Sequence, residues 1–85
     1  MVAASEIEAE LLGFLRREVF APDVAVTGDT DLVAAGFDSM SLVRLLLFVE
    51  TKYGMWIPES KITSEALSCP RSLATTLSGL LGAGK

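Results

Sequence analysis

The sequence predicts an all-α protein, a small four-helix bundle of three main helices and a short third helix, with a long loop between helices one and two. Three segments repeat their apolar residues at helical spacing, and proline or glycine marks most of their ends. Residues 22–38 instead hold a proline, two glycines and four aspartates, a composition typical of a loop. The chain has 85 residues, of which 51% are hydrophobic, so we expect one domain with a single core.

The first helix is predicted to begin at Ser5. Ser5 and Glu8 form a capping-box pattern, in which each side chain accepts a hydrogen bond from the other residue's backbone N–H. The helix is expected to end at Ala21, because a residue before proline avoids the helical region. Its apolar positions recur at helical spacing: Ile7, Leu11, Leu12, Phe14, Leu15 and Val19.

The long loop over residues 22–38 is expected to contact the core through Leu32 and Val33, with a short turn near Asp31. Loops of this length in small domains are commonly functional or flexible. The second helix should then run from Ser39 to Tyr53 and end at Gly54, a residue type favoured just after a helix.

In the final third of the chain, the sequence predicts a short third helix over residues 60–65. It also predicts a last helix that begins near Pro70 and ends at Gly82. The apolar stripe of the last helix consists of Leu73, Leu77, Leu80 and Leu81. We expect residues 5–81 to be ordered and residues 82–85 to form a flexible tail.

The second helix carries two apolar groups. At 100° per residue, one group spans an arc of about 100° and suffices to pack against a core. Its members are Leu42, Leu45, Leu46, Val49 and Tyr53. Met40, Val43 and Leu47 lie on nearly the opposite side, and Phe48 lies between the two groups. Either the long loop covers the second group, or that group forms a docking surface for a partner.

Composition excludes several classes of function. The net charge of −4 and the scattered lysines and arginines disfavour nucleic-acid binding, a helix-turn-helix included. The chain has no histidine, so a Ser-His-Asp triad and a zinc site built on imidazole are excluded. The apolar run 40–49 is too short and too interrupted to span a bilayer. No secretory signal opens the sequence and its single cysteine cannot pair internally, so we expect a cytoplasmic protein. We also expect a monomer.

Other residues are assigned structural roles. Asp29 and Asp31 suggest a calcium loop, but Val33 and Ala34 stand where a ligand and a glycine would be required, so no metal site is predicted. Cys69 is interpreted as a small apolar residue at a helix start, and Trp56 as a partly buried anchor between helices.

Ser39 opens the second helix and has three interpretations. It could be the N-cap, although Asp38 could cap equally well. It could be a nucleophile, but no histidine, neighbouring lysine or G-x-S-x-G turn would activate it. It could be an acceptor of a group that a second enzyme attaches. A phosphodiester there would lie at a helix N-terminus, where backbone N–H groups favour an anion.

The stretch Gly36-Phe37-Asp38-Ser39-Met40, followed by an apolar helix, resembles the phosphopantetheine attachment site of acyl and peptidyl carrier proteins. The resemblance implies that Ser39 receives a 4′-phosphopantetheine arm from coenzyme A and that acyl groups ride on its thiol as thioesters. Such a protein catalyses nothing itself. Asp38 would then be a cap, or a contact for the phosphopantetheinyl transferase and its metal, or both.

A finer resemblance, spread from Asp38 to Pro70, is to stand-alone carriers of amino acids, D-alanyl carriers among them. It implies a discrete acyl or aminoacyl carrier that acts in polyketide or nonribosomal-peptide-type biosynthesis or in cell-wall modification. A loading enzyme, either an adenylating enzyme or an acyltransferase, would attach the cargo. Synthases or tailoring enzymes would then act on it. Unlike fatty-acid synthase carriers, the second helix is not strongly acidic, so partner binding is assigned mainly to apolar contact. The residues assigned to it are Met40, Val43, Arg44 and Leu47. The rival interpretation is a helical adaptor that uses the same surface, with Ser39 only a cap.

Overall fold

The computed structural model describes residues 3–21 and 23–83, and its secondary structure within these ranges is entirely helical, which confirms the predicted fold class. The elements are α1 (Ala4–Phe14), a π turn (Leu15–Val19), α2 (Leu32–Ala35), α3 (Ser39–Tyr53), two 3₁₀ turns (Glu59–Lys61 and Ala66–Ser68) and α4 (Pro70–Ala83). The main helices pack around one apolar core, and α4 lies mainly against α1.

Helix α1 begins earlier than the capping box predicts. Its N-cap is Ala3, whose carbonyl accepts from the amides of Glu6 and Ile7, and no side chain caps this end. The predicted start at Ser5 is therefore wrong, because alanines 3 and 4 are good helix formers and extend the helix by a residue. After Phe14 the helix widens into the π turn, which the Phe20 amide closes by donating to the Leu15 carbonyl at 2.9 Å. Pro22, which was predicted to stop this segment, lies outside the described residues.

The long loop contains α2, a single helical turn. Asp31 caps it by accepting a hydrogen bond from the Ala34 amide at 3.1 Å, and Gly36 ends it in the left-handed region with φ 110°. Leu32 is fully buried, as predicted, but Val33 is 66% exposed, so its assignment as a core anchor is wrong. One turn of helix can bury only one side, and the loop's other contacts with the core come from Val26 and Phe37.

Helix α3 has the predicted bounds. Gly54 adopts φ 72° just after it, and its amide donates to the Glu50 carbonyl at 2.8 Å. Four of the five residues of its predicted core stripe are buried, and Tyr53 is half-buried. The buried members are Leu42, Leu45, Leu46 and Val49.

The segment predicted as a short third helix forms no continuous helix. Two 3₁₀ turns lie at its ends, and Ile62 and Ala66 anchor the segment in the core. Thr63 Oγ1 accepts from the Ala66 amide at 3.1 Å, and Ser68 Oγ donates to the Glu65 carbonyl at 2.7 Å. Such short polar side chains bond the local backbone and compete with a regular helix.

Arg71, in the first turn of α4, fastens the long loop to the bundle. Its amide donates to the Gly28 carbonyl at 3.0 Å, and its guanidinium pairs with Glu8, at 3.6 Å, and with Asp29. A Cβ at position 28 would displace the ends of the Glu8 and Arg71 side chains, so glycine allows these groups to approach the loop backbone closely. Helix α4 continues to Ala83, while residues 84 and 85 of the predicted tail lie outside the described residues.

Candidate functional site

Ser39 is the first residue of α3, and its side chain is exposed. The chain reaches it through Gly36 and then Phe37, which is buried and donates its amide to the Leu32 carbonyl at 2.9 Å. Leu42 is buried one turn later. Ser39 is therefore held at the surface between two anchored apolar side chains.

Asp38 is the N-cap of α3. Its Oδ1 accepts from the Ser41 amide at 2.9 Å and from the Ser41 hydroxyl at 3.0 Å. The sequence left Ser39 and Asp38 as equal candidates for this cap, and the structure assigns it to Asp38. Because Asp38 fills this role, the Ser39 hydroxyl is not the helix cap.

These hydrogen bonds also set the ionisation of the cap. The Ser41 amide, followed by the Ser41 hydroxyl, favours the charged carboxylate and lowers the pKa of Asp38 below its usual 3.8. Because the pKa of Asp38 is lower in the folded protein than in the unfolded chain, the ionised carboxylate stabilises the fold. This stabilisation is present above pH 3.8 and is lost as the pH falls through the pKa of the folded protein.

We therefore expect Asp38→Ala to lower the melting temperature at neutral pH, and the difference from wild type to shrink as the pH falls below 3.8. Thermal unfolding followed by circular dichroism across this range measures it. Asp23→Ala, which removes an exposed loop carboxylate, serves as the control. A deficit for Asp38→Ala that stays constant into acid would contradict the assignment of the cap to the ionised carboxylate.

Beside Ser39, the second apolar group of α3 is open to solvent. Met40 is 64% exposed, Val43 44% and Leu47 51%, so the long loop does not cover them. We call these three residues the apolar band. Phe48 is half-buried and stacks on Phe14 of α1, with ring centroids 4.7 Å apart, so it belongs to the edge of the core.

Arg44 lies on the same exposed side of α3. Its guanidinium donates to the Glu18 carbonyl in the π turn at 2.9 Å, which ties α3 to the C-terminal end of the first helix. A cation at this end also favours the helix dipole. Arg44 thus forms a structural hydrogen bond that the sequence did not predict. Arg44 and Leu47 also line the same groove.

The residues set aside in the sequence have ordinary surroundings. Asp29 pairs with Arg71 and Asp31 caps α2, and residues 3–21 and 23–83 hold no cluster of three or more acidic or cysteine side chains that could hold a metal ion. Cys69 is half-buried, and its Sγ accepts from the Ser72 amide at 3.5 Å. Trp56 is 48% exposed, and its role as an anchor between helices stays a prediction. Within the described ranges, no helix is both long enough and apolar enough to cross a membrane.

Comparison with known proteins agrees with this geometry. The family model described as "Phosphopantetheine attachment site" matches residues 6–77, which is most of the chain. The protein belongs to this family of carrier proteins. Its members hold 4′-phosphopantetheine covalently and are non-catalytic carriers of acyl groups.

One relative of this carrier protein is Aminoacyl carrier protein 1 of Bradyrhizobium diazoefficiens. The two chains are 42% identical over 53 residues, which cover 62% of this chain and 57% of the relative. The match thus spans little more than half of the relative's length.

The residues at the start of α3 fit a phosphopantetheine arm. An exposed hydroxyl is available at Ser39, the neighbouring carboxylate of Asp38 is engaged in capping, and the N-terminus of a 15-residue helix favours an attached phosphodiester. Once bound, the group supplies a thiol on a flexible tether, which can carry an acyl group as a thioester.

Proposed function

We propose that this chain is a discrete acyl or aminoacyl carrier whose 4′-phosphopantetheine is attached to Ser39. The observation that supports this most directly is the exposed Ser39 hydroxyl at the first residue of α3, left free of the capping role by Asp38. A serine retained there as a helix cap would be expected to accept the hydrogen bond that Asp38 accepts instead.

Attachment requires a partner enzyme, because the carboxylate that neighbours Ser39 in the chain, that of Asp38, is already engaged in capping α3. The serine oxygen bonds to the phosphorus of the pantetheine phosphate in coenzyme A. The pyrophosphate P–O bond breaks, and adenosine 3′,5′-bisphosphate leaves with the electron pair. The serine proton passes to a base on the phosphopantetheinyl transferase. The carrier contributes an accessible hydroxyl on a rigid helix end and a surface for the transferase.

For the cargo we propose an acyl or aminoacyl thioester, in a pathway of the polyketide or nonribosomal-peptide type. The proposal is supported by similarity to a relative named as an aminoacyl carrier. It is also supported by the charge of α3, where a single Glu50 is set against Arg44 and Lys52. A partner that selects this carrier would therefore depend on apolar contact more than on attraction to an acidic helix.

The test is incubation of the protein with coenzyme A, magnesium and a broad-specificity phosphopantetheinyl transferase, followed by mass spectrometry of the intact chain. We expect one phosphopantetheinyl group per chain. An unchanged mass, under conditions that convert a control carrier fully, would contradict the proposal and favour the adaptor interpretation.

A second experiment tests the apolar band as the partner surface. Val43→Asp places a charge in the centre of the band, where it costs little in the free protein but would be desolvated against a partner. We expect kcat/KM for the transferase to fall about tenfold or more, and each factor of ten corresponds to about 1.4 kcal/mol.

The matched control is Thr75→Asp, which adds the same charge at an exposed site on α4 and should leave kcat/KM unchanged. Both variants should keep the helicity of wild type by circular dichroism. If Val43→Asp is modified at the normal rate, the apolar band is not the surface that the transferase uses.

A further inference from the structure

A shallow groove of about 380 Å³ runs between the end of the first helix and α3, next to the apolar band. Its aromatic wall is the stacked pair Phe14 and Phe48, and Leu47 of the apolar band forms its near edge. The groove is thus continuous with the surface assigned above to partner binding, but it reaches across to a second helix.

Two arginines line this groove, Arg17 from the π turn and Arg44 from α3. Lys52 pairs with Glu10, and Arg71 pairs with Glu8 and Asp29, whereas Arg16 and Lys61 form no ion pair with the described residues. Neither groove arginine forms an ion pair with a carboxylate of the described residues, although Glu18 lies in the same groove and its carbonyl accepts from Arg44. In a chain of net charge −4, two cations at one site therefore lack an ionic partner among the described residues.

The Arg17 side chain lies next to Gly13 of α1. A glycine inside α1 is less favourable for the helix than alanine would be. In the structure, a Cβ at position 13 would lie 3.1 Å from an Arg17 guanidinium nitrogen, tighter than ordinary van der Waals contact. The bare backbone at Gly13 thus leaves room for the guanidinium to lie along the helix.

We infer that this groove docks a partner enzyme through a segment that presents a carboxylate beside an apolar side chain. The inference rests on the carrier function proposed above and adds the chemistry of the partner. The carboxylate would lie between Arg17 and Arg44, and the apolar side chain would lie against Phe48 and Leu47. Charge complementarity favours this occupant, because two arginine side chains that line one apolar groove match an acidic and apolar segment and repel a basic one.

The probe is the peptide acetyl-Asp-Leu-Phe-Glu-amide. The control is the uncharged peptide acetyl-Asn-Leu-Phe-Gln-amide, in which each carboxylate is replaced by an amide. Each is titrated into the unmodified protein, labelled with nitrogen-15, while backbone amides and arginine Nε–Hε signals are followed by NMR. We expect saturable shifts at Arg17, Arg44 and Leu47, with the acidic peptide binding about tenfold or more tightly, or about 1.4 kcal/mol. The preference should weaken as salt is added, because the arginines are exposed.

Arg17→Glu should abolish the preference for the acidic peptide. Lys61→Glu makes the same change of charge on an exposed 3₁₀ turn and should preserve it. Arg17 forms no hydrogen bond with the described residues, so its replacement should leave the fold intact, as circular dichroism would verify. Equal binding of the two peptides, shifts centred elsewhere, no saturable shift, or equal losses in both variants would overturn the inference. The titration needs no modification of Ser39, so its failure is distinguishable from failure of the carrier function.

Discussion

Ser39→Ala is expected to abolish transfer of phosphopantetheine to the protein. Removing the hydroxyl removes the atom that bonds to phosphorus, and no other change in the fold should follow, because this side chain is exposed and does not cap α3. Intact-mass measurement after incubation with coenzyme A and the transferase should show the unmodified chain. Circular dichroism should show helicity equal to that of wild type.

Ser41 provides a matched control, since it lies two residues further along α3. Its hydroxyl is largely buried and donates to Asp38, so Ser41→Ala should lower stability while leaving modification intact. The two serines thus separate an acceptor role from a structural one. Full modification of Ser39→Ala together with loss of modification in Ser41→Ala would show that the attachment site is misassigned.

The boundaries of α3 were predictable because local signals determine both of its ends. Asp38 reaches the Ser41 amide from three residues away, and Gly54 supplies the left-handed backbone at the other end. Between them, the apolar pattern correctly separated buried Leu46 from exposed Leu47. The accessibility of Ser39 followed from the same local chemistry.

The errors have both local and long-range causes. The prediction that Val33 is a core anchor was wrong because a single turn of helix buries Leu32 and leaves Val33 at the surface. The burial of Val26 and Phe37 depends on the path of the loop. The segment near Thr63 forms no continuous helix because side chains such as that of Thr63 form hydrogen bonds with the local backbone.

The groove between the first helix and α3 could not be predicted from the sequence for a related reason. Its arginines lie 27 positions apart in the chain, and packing such as that of Phe48 on Phe14 brings their helices together. The neighbour of Gly13 in space, Arg17, lies one turn ahead on a helix that also changes to π geometry. Side-chain direction, and not spacing alone, decides which residues share a surface.

Helix α3 also allows a direct test of which of its sides is buried. Leu46 and Leu47 are adjacent and identical in type, but Leu46 is 3% exposed and Leu47 is 51% exposed. Leu46→Ala should therefore lower the free energy of unfolding by about 2–5 kcal/mol, because it removes apolar contacts and leaves a cavity. Leu47→Ala should change it by about 0.5 kcal/mol or less, as is usual for surface positions.

Urea unfolding followed by the fluorescence of Trp56, the single tryptophan, measures both variants. For a small domain whose whole stability is about 5–15 kcal/mol, the Leu46→Ala loss is a large fraction, so the midpoint should fall clearly while the slope with urea stays the same. Similar losses in the two variants would mean that Leu47 is covered in solution, by the long loop or by a second copy of the chain. In that case the apolar band would not be free to dock a partner, whereas a large loss confined to Leu46 leaves that surface available beside Ser39.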